Sequence, residues 1–146
     1  MSDAEKHKAE MQTLQAKKRQ RQKEAKDPEK GLVLVHTGKG KGKSSSAFGV
    51  IVRALGWGQK VGVVQFIKGN WVTGEKRFFE NLGEVTWYTM GEGFTWDTQD
   101  KERDITAAVT AFAQAAAMME SGDFDLVVLD EINIALRYEY LDIQAV

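Results

Sequence analysis

The chain contains no cysteine. That excludes disulfides and thiolate metal sites, and it fits a reducing, cytoplasmic setting. There is a single proline, Pro28, so the other helix stops must fall mainly on glycine. No run of eighteen apolar residues occurs, so no membrane-spanning helix is expected. The N-terminus is charged and lacks an apolar segment of the secretory type. The formal net charge is -1, which removes any global electrostatic case for nucleic acid. Neither a nucleic acid nor a membrane is therefore expected as a partner.

A length of 146 residues suits one domain with a real core. The most informative stretch is Leu32 to Gly58, LVLVHTGKGKGKSSSAFGVIVRALGWG. Leu32 to His36 is a short apolar, β-branched run and predicts a buried strand. Thr37 to Ser44 is a loop of alternating glycine and lysine. A helix is predicted from about Lys43, with Ala47, Val50, Ile51, Ala54 and Leu55 at the i, i+3, i+4, i+7, i+8 spacing. Gly56 and Gly58 end it.

A strand, a glycine-rich loop and a helix in that order make a phosphate site. Glycines let successive N–H groups converge, and a helix N-terminus adds free donors and positive partial charge. Gly38, Gly40 and Gly42 supply the bends, and Lys39, Lys41 and Lys43 supply cationic charge. The Ser44 hydroxyl is a candidate Mg²⁺ ligand, with Ser45 beside it. The spacing departs from the general motif, because Thr37 stands where its first glycine belongs. A solvated glycine turn is the plainer alternative.

Residues 1–30 carry nine Lys or Arg against six Asp or Glu. Asp3 to Lys26 is rich in helix formers but holds only Met11 and Leu14 as large apolar residues, and Pro28 stops it. It reads as a charged helical arm, either solvated or ordering over a ligand or a neighbouring subunit. The domain division is therefore 1–30 for the arm and 31–146 for a nucleotide-binding domain.

Lys60 to Gly69 is a second apolar strand, placing Gln65 and Lys68 on the rim that carries the phosphate loop. Asn70 to Thr73 reads as loop, Glu75 to Leu82 as a short helix stopped at Gly83, and Glu84 to Met90 as a third strand. In the loop Met90 to Asp97, two glycines precede Phe94 and Trp96. These aromatics either pack on the core or wall a large flat ligand. Asp97 or Thr98 can cap the next helix, whose predicted stripe is Ile105, Ala108, Val109, Phe112, Ala116 and Met119, ending at Ser121-Gly122. Asp125 to Glu131 is a fourth strand, delivering Asp130 and Glu131 at its carboxyl end near Ser44, where at least one reaches Mg²⁺. A helix from about Asn133 to Tyr140 follows.

With TGKGKGKSSSAFG, VGVVQFIKG, GEGFTWDTQD and LVVLDEIN in place, the chain from Gly31 onward resembles the ATP:cob(I)alamin and cob(I)yrinic acid a,c-diamide adenosyltransferases. The short-spaced loop matches that family's own form. Ser44-Ser45 departs from its frequent Thr pair but keeps a hydroxyl. The resemblance implies an α/β P-loop (RecA-like) fold of three layers with a mostly parallel sheet and an N-terminal helical arm. It implies transfer of the 5′-deoxyadenosyl group of Mg-ATP to the cobalt of a reduced corrinoid, with release of tripolyphosphate, in cobalamin biosynthesis or salvage. The cobalt is the nucleophile, so no catalytic side-chain nucleophile is needed. The loop residues would hold the nucleotide, and Arg53, by matching position, would lie near the nucleotide or the arm. Phe94 and Trp96 would face the corrin and exclude its lower axial ligand. A homodimer and an electron donor such as a reduced flavoprotein are implied as partners. Family members continue for several dozen residues beyond Val146, so the chain reads as C-terminally shortened. The alternatives are another P-loop kinase or ATPase, or a non-catalytic nucleotide- or corrinoid-binding fragment.

Overall fold

The computed structural model describes residues 2–24, 30–66, 72–90 and 101–146, divided between two compact units, Met1–Val35 and His36–Val146. In the first unit, α1 (Asp3–Glu24) is a single 22-residue helix with no buried residue. It begins with a capping box: the Glu5 N–H donates to Ser2 Oγ at 3.3 Å, and the Ser2 N–H donates back to Glu5 Oε2 at 2.6 Å. Pro28, expected to stop this helix, lies outside the described residues.

The expected first strand, Leu32 to His36, is not a strand. Residues 31–37 join no ladder, and Leu32, Val33, Leu34 and Val35 are 82, 85, 56 and 72% exposed. An apolar run becomes a strand only when a neighbouring edge takes its N–H and C=O groups. No described strand does so here.

The second unit is α/β. Its elements are α2 (Lys43–Gly56), β1 (Val61–Gln65), α3 (Gly74–Leu82), β2 (Val85–Thr89), α4 (Lys101–Glu120), β3 (Leu126–Asp130) and α5 (Ile132–Arg137). The three strands form a parallel sheet in the order β2-β1-β3. Helices cover both faces, as an all-parallel sheet requires. The period-2 alternation of β1 sorts them. Val61 and Val63 join Phe48, Ile51 and Ala54 of α2 and Phe79 of α3 in one core. Val64 and Phe66 join Ala108, Ala111, Ala115 and Met118 of α4, Ala135 of α5, and Leu141 in the other. Phe48, Phe79 and Trp87 meet in an aromatic group with ring centroids 6.0 to 6.3 Å apart.

The face that α4 buries differs from the predicted stripe. Ala107, Ala108, Ala111, Ala115 and Met118 are buried, whereas Val109 and Met119 are exposed. Small residues let the helix axis lie close to the sheet, so the larger side chains are turned to its flanks. The approach is tightest at Gly62, where an added Cβ would lie 2.8 Å from Met118 Sδ. Beyond α5, Tyr140 faces Asp104 of α4. Desolvation first, and then the Asp104 carboxylate, raise its pKa above the ordinary 10.0.

The connections place the site. The chain leaves β1 for α3 on one face and β3 for α5 on the other, and β1 and β3 are neighbours. Where adjacent parallel strands send the chain to opposite faces, a crevice opens beyond their carboxyl ends.

Candidate functional site

The carboxyl ends of the three strands carry one polar rung. Thr89, Gln65 and Asp130 are in register, Gln65 pairing with both neighbours. Each ends a strand whose preceding residues on that face are apolar: Val85 and Trp87, Val61 and Val63, Leu126 and Val128. The rung therefore lies on the α2 and α3 side of the sheet, where the packed core gives way to the rim.

The loop 37–42 reaches this rim by left-handed turns. Gly38 has φ 133° and Gly42 φ 99°, both in the region that disfavours any residue with a Cβ. Gly42 is the N-cap of α2 and makes no side-chain cap. The first N–H groups of that helix therefore have no side-chain acceptor from the cap and are directed at whatever binds there. Lys43 folds over the loop, its Nζ donating to the carbonyls of Gly38 at 2.9 Å and Gly40 at 2.6 Å. An ammonium has three donors, so one remains for a ligand. Lys39 and Lys41 are exposed on the same loop.

The loop is tied to the sheet by one long-range bond. Ser44 Oγ donates to Asp130 Oδ1 at 3.0 Å across 86 positions of sequence. Gln65 Nε2 donates to the other oxygen, Asp130 Oδ2, at 3.2 Å. Asp130 is the one buried charged residue among the described residues. Glu131 turns away from the ladder with φ 62°, a left-handed conformation for a residue with a side chain. Its carboxylate makes no hydrogen bond or ion pair with the described residues. At the far end of the rung, Lys76 Nζ and Trp87 Nε1 both donate to Thr89 Oγ1, at 3.0 and 3.2 Å.

Gly38 to Ser45 are thus gathered with Asp130 at one rim, and Glu131 follows directly in the chain. Arg53 is not brought there: it is exposed in the last turn of α2. Ten residues of helix put it roughly 15 Å along the axis from Lys43. Phe94, Trp96, Lys68, Asp97 and Thr98 lie outside the described residues. Sequence reasoning placed Gln65 on this rim but assigned it no partner. The signal that marks it is shared with Asp130, since each is the polar last residue of an otherwise apolar strand, VGVVQ and LVVLD.

No group of three or more His, Cys, Asp or Glu able to hold a metal occurs among the described residues. One hydroxyl and one or two carboxylates at a phosphate loop nevertheless suit Mg²⁺. That ion keeps several waters and completes its shell with substrate phosphates rather than a protein cage. A groove of 490 Å³ between α2 and α3 is lined by Phe48, Val52, Phe78 and Phe79, together with Ser45 of the loop.

Comparison with known proteins identifies the family. The model of the family described as ATP:corrinoid adenosyltransferase BtuR/CobO/CobP matches residues 29–146. A corrinoid adenosyltransferase of Pseudomonas aeruginosa is 56% identical over 103 residues, covering 70% of this chain and 51% of that protein. One from Sinorhizobium is 47% identical over 104 residues, covering 70% and 49%. One from Escherichia coli is 44% identical over 102 residues, covering 70% and 52%. The chain spans about half the length of these curated relatives.

Proposed function

Since the chain belongs to the ATP:corrinoid adenosyltransferase family, we propose that it binds Mg-ATP at the loop 37–45 and transfers the adenosyl group to a reduced corrinoid. The observation that carries the reading is the Ser44–Asp130 bond, which joins a glycine-lysine loop to the carboxyl end of a buried parallel strand. That juxtaposition, with the crevice between β1 and β3, supports a P-loop fold of the RecA-like type.

On this reading Lys39, Lys41, Lys43 and the first N–H groups of α2 hold the triphosphate. Ser44, Asp130 and Glu131 hold Mg²⁺, which when bound neutralises charge on the phosphate oxygens. The electron pair of cobalt(I) forms the bond to ribose C5′. The C5′–O bond breaks, and its pair leaves on the intact tripolyphosphate. The loop's contribution is electrostatic: fixed donors and cations face the oxygens on which negative charge grows. Because the nucleophile belongs to the substrate, no activated Ser, Cys or His is required. Phe94 and Trp96 form the apolar floor beneath the corrin. Two such chains form the working dimer, and a reduced flavoprotein supplies the electrons.

The test is anaerobic incubation with Mg-ATP and chemically reduced cobalamin, following the visible spectrum and the phosphate products. Adenosylcobalamin with tripolyphosphate is the expected result. ADP released without any need for corrinoid overturns it in favour of a phosphate-cleaving enzyme. Phe94→Ala is expected to keep ATP affinity while transfer falls sharply.

A further inference from the structure

Asp130 is held in an unusual way for a buried carboxylate. A buried charge normally recruits a cation, because desolvation is costly. Asp130 is only 8% exposed, yet no ion pair reaches it among the described residues. Its two oxygens are satisfied by two neutral groups, one on each: the Ser44 hydroxyl and the Gln65 amide. An ionised carboxylate has lone pairs to spare, so this arrangement leaves negative charge directed at the rim.

The two bonds are not equivalent. Ser44 belongs to the phosphate loop. Its hydroxyl has one proton, which goes to Asp130, so its lone pairs face away from the carboxylate. Gln65 belongs to the central strand. It shares a rung with Asp130, and both side chains stand on the same face of the sheet. Neighbouring strands lie about 4.8 Å apart, so the amide reaches the carboxylate without help from any loop. The amide's orientation is also settled, because its oxygen against a carboxylate oxygen would be repulsive, so Nε2 faces Asp130. Gln65 is therefore the sheet's own grip on Asp130, and Asp130 in turn directs the Ser44 hydroxyl.

We propose that Gln65 is a positioning residue for a divalent cation at the nucleotide phosphates: it fixes the Asp130 carboxylate so that Ser44 presents its lone pairs to the cation. The proposal rests on the nucleotide reading above. Without Gln65, Asp130 loses its bond to the sheet and is held only by the loop serine, so the carboxylate can turn about its last torsion and the serine with it. Partners that orient metal ligands in this way change metal affinity about 10- to 100-fold when removed.

The experiment uses the full 146-residue chain. Mn²⁺ binding to the ATP complex is followed by electron paramagnetic resonance, and ATP binding in EDTA by calorimetry. Gln65→Met keeps length and volume without the donor. It is expected to weaken Mn²⁺ binding about tenfold while ATP affinity in EDTA stays within about twofold of wild type. In an Asp130→Asn background the same change is expected to have no further effect, because the route through the carboxylate is already cut. Gln65→Asn keeps an amide but shortens its reach by one methylene, and the same loss of Mn²⁺ affinity is expected. If either Gln65 variant retains wild-type Mn²⁺ affinity, the proposal fails while the nucleotide reading stands. It fails equally if the loss appears in EDTA or adds in full to Asp130→Asn, since both indicate a merely structural role. A wild-type chain that binds no ATP overturns the nucleotide reading, and the proposal with it.

Discussion

Lys43 has two tasks in the loop. It carries a full charge toward any bound phosphate, and its bonds to the Gly38 and Gly40 carbonyls cross-brace the loop. Lys43→Ala removes both. Hydrogen bonds to charged groups contribute about 1.5–3 kcal/mol each, so ATP affinity is expected to fall at least about tenfold, measured by calorimetry. Gly42→Ala tests the backbone instead. At φ 99° a Cβ is strained, and a cost of about 1–3 kcal/mol is expected in chemical denaturation, together with weaker ATP binding. These residues were legible in the sequence because glycine and lysine announce what they do. Asp130 was legible as well, since two carboxylates after an apolar strand need a reason to be there. Gln65 was read only as a rim residue. Its partner lies 65 positions away, and only the strand register brings the two together.

At the scale of elements, the packing of α4 on β1 depends on a missing side chain. Gly62→Ala drives a Cβ to 2.8 Å from Met118 Sδ and 3.3 Å from the Phe124 ring. Overpacking of this kind is expected to destabilise by about 1–3 kcal/mol in urea melts, and Met118→Ala in the same chain is expected to recover part of the loss. The contact between α4 and the segment after α5 has a pH signature. The Tyr140 pKa is raised in the folded state, so the protonated form is favoured there. Its contribution is complete below pH 10, the ordinary value, and is lost as pH rises through the folded-state value. Thermal melts are expected to fall in the alkaline limb beyond pH 10, and Tyr140→Phe is expected to flatten that fall. The boundaries of α2 and α3 were close to legible, because glycines mark their ends. The buried face of α4 was misjudged for a physical reason. Periodicity gives most weight to large side chains, whereas close helix-to-sheet contact is made by alanine.

For the whole molecule, the exposed apolar run Leu32 to Val35 bears on association. Four adjacent large apolar residues are exposed, and β3 has no strand partner on its outer edge among the described residues. Contiguous apolar exposure and unpaired edges both promote association. Concentration-dependent self-association is therefore expected in size-exclusion chromatography and light scattering. Val33→Lys with Val35→Lys is expected to suppress it with little change in melting temperature. Here the sequence misled, because a strand is a property of a pair. The LVLV run has every local mark of β structure, but composition cannot supply the neighbour that would accept its hydrogen bonds. The parallel sheet and its covering helices were legible because apolar runs alternate with helical periodicity along most of the chain.

The turn at Glu131 carries one more consequence. A glutamate held at φ 62° at the N-cap of α5, with no capping bond, is a poor choice for folding alone. Asparagine tolerates that backbone better than glutamate, so Glu131→Asn is expected to raise stability by about 1 kcal/mol. A selection for heat resistance would favour that change and discard a carboxylate beside Asp130. Screens for robustness and screens for activity are therefore expected to diverge at this position, which makes it a useful place to measure what the molecule gives up in order to work.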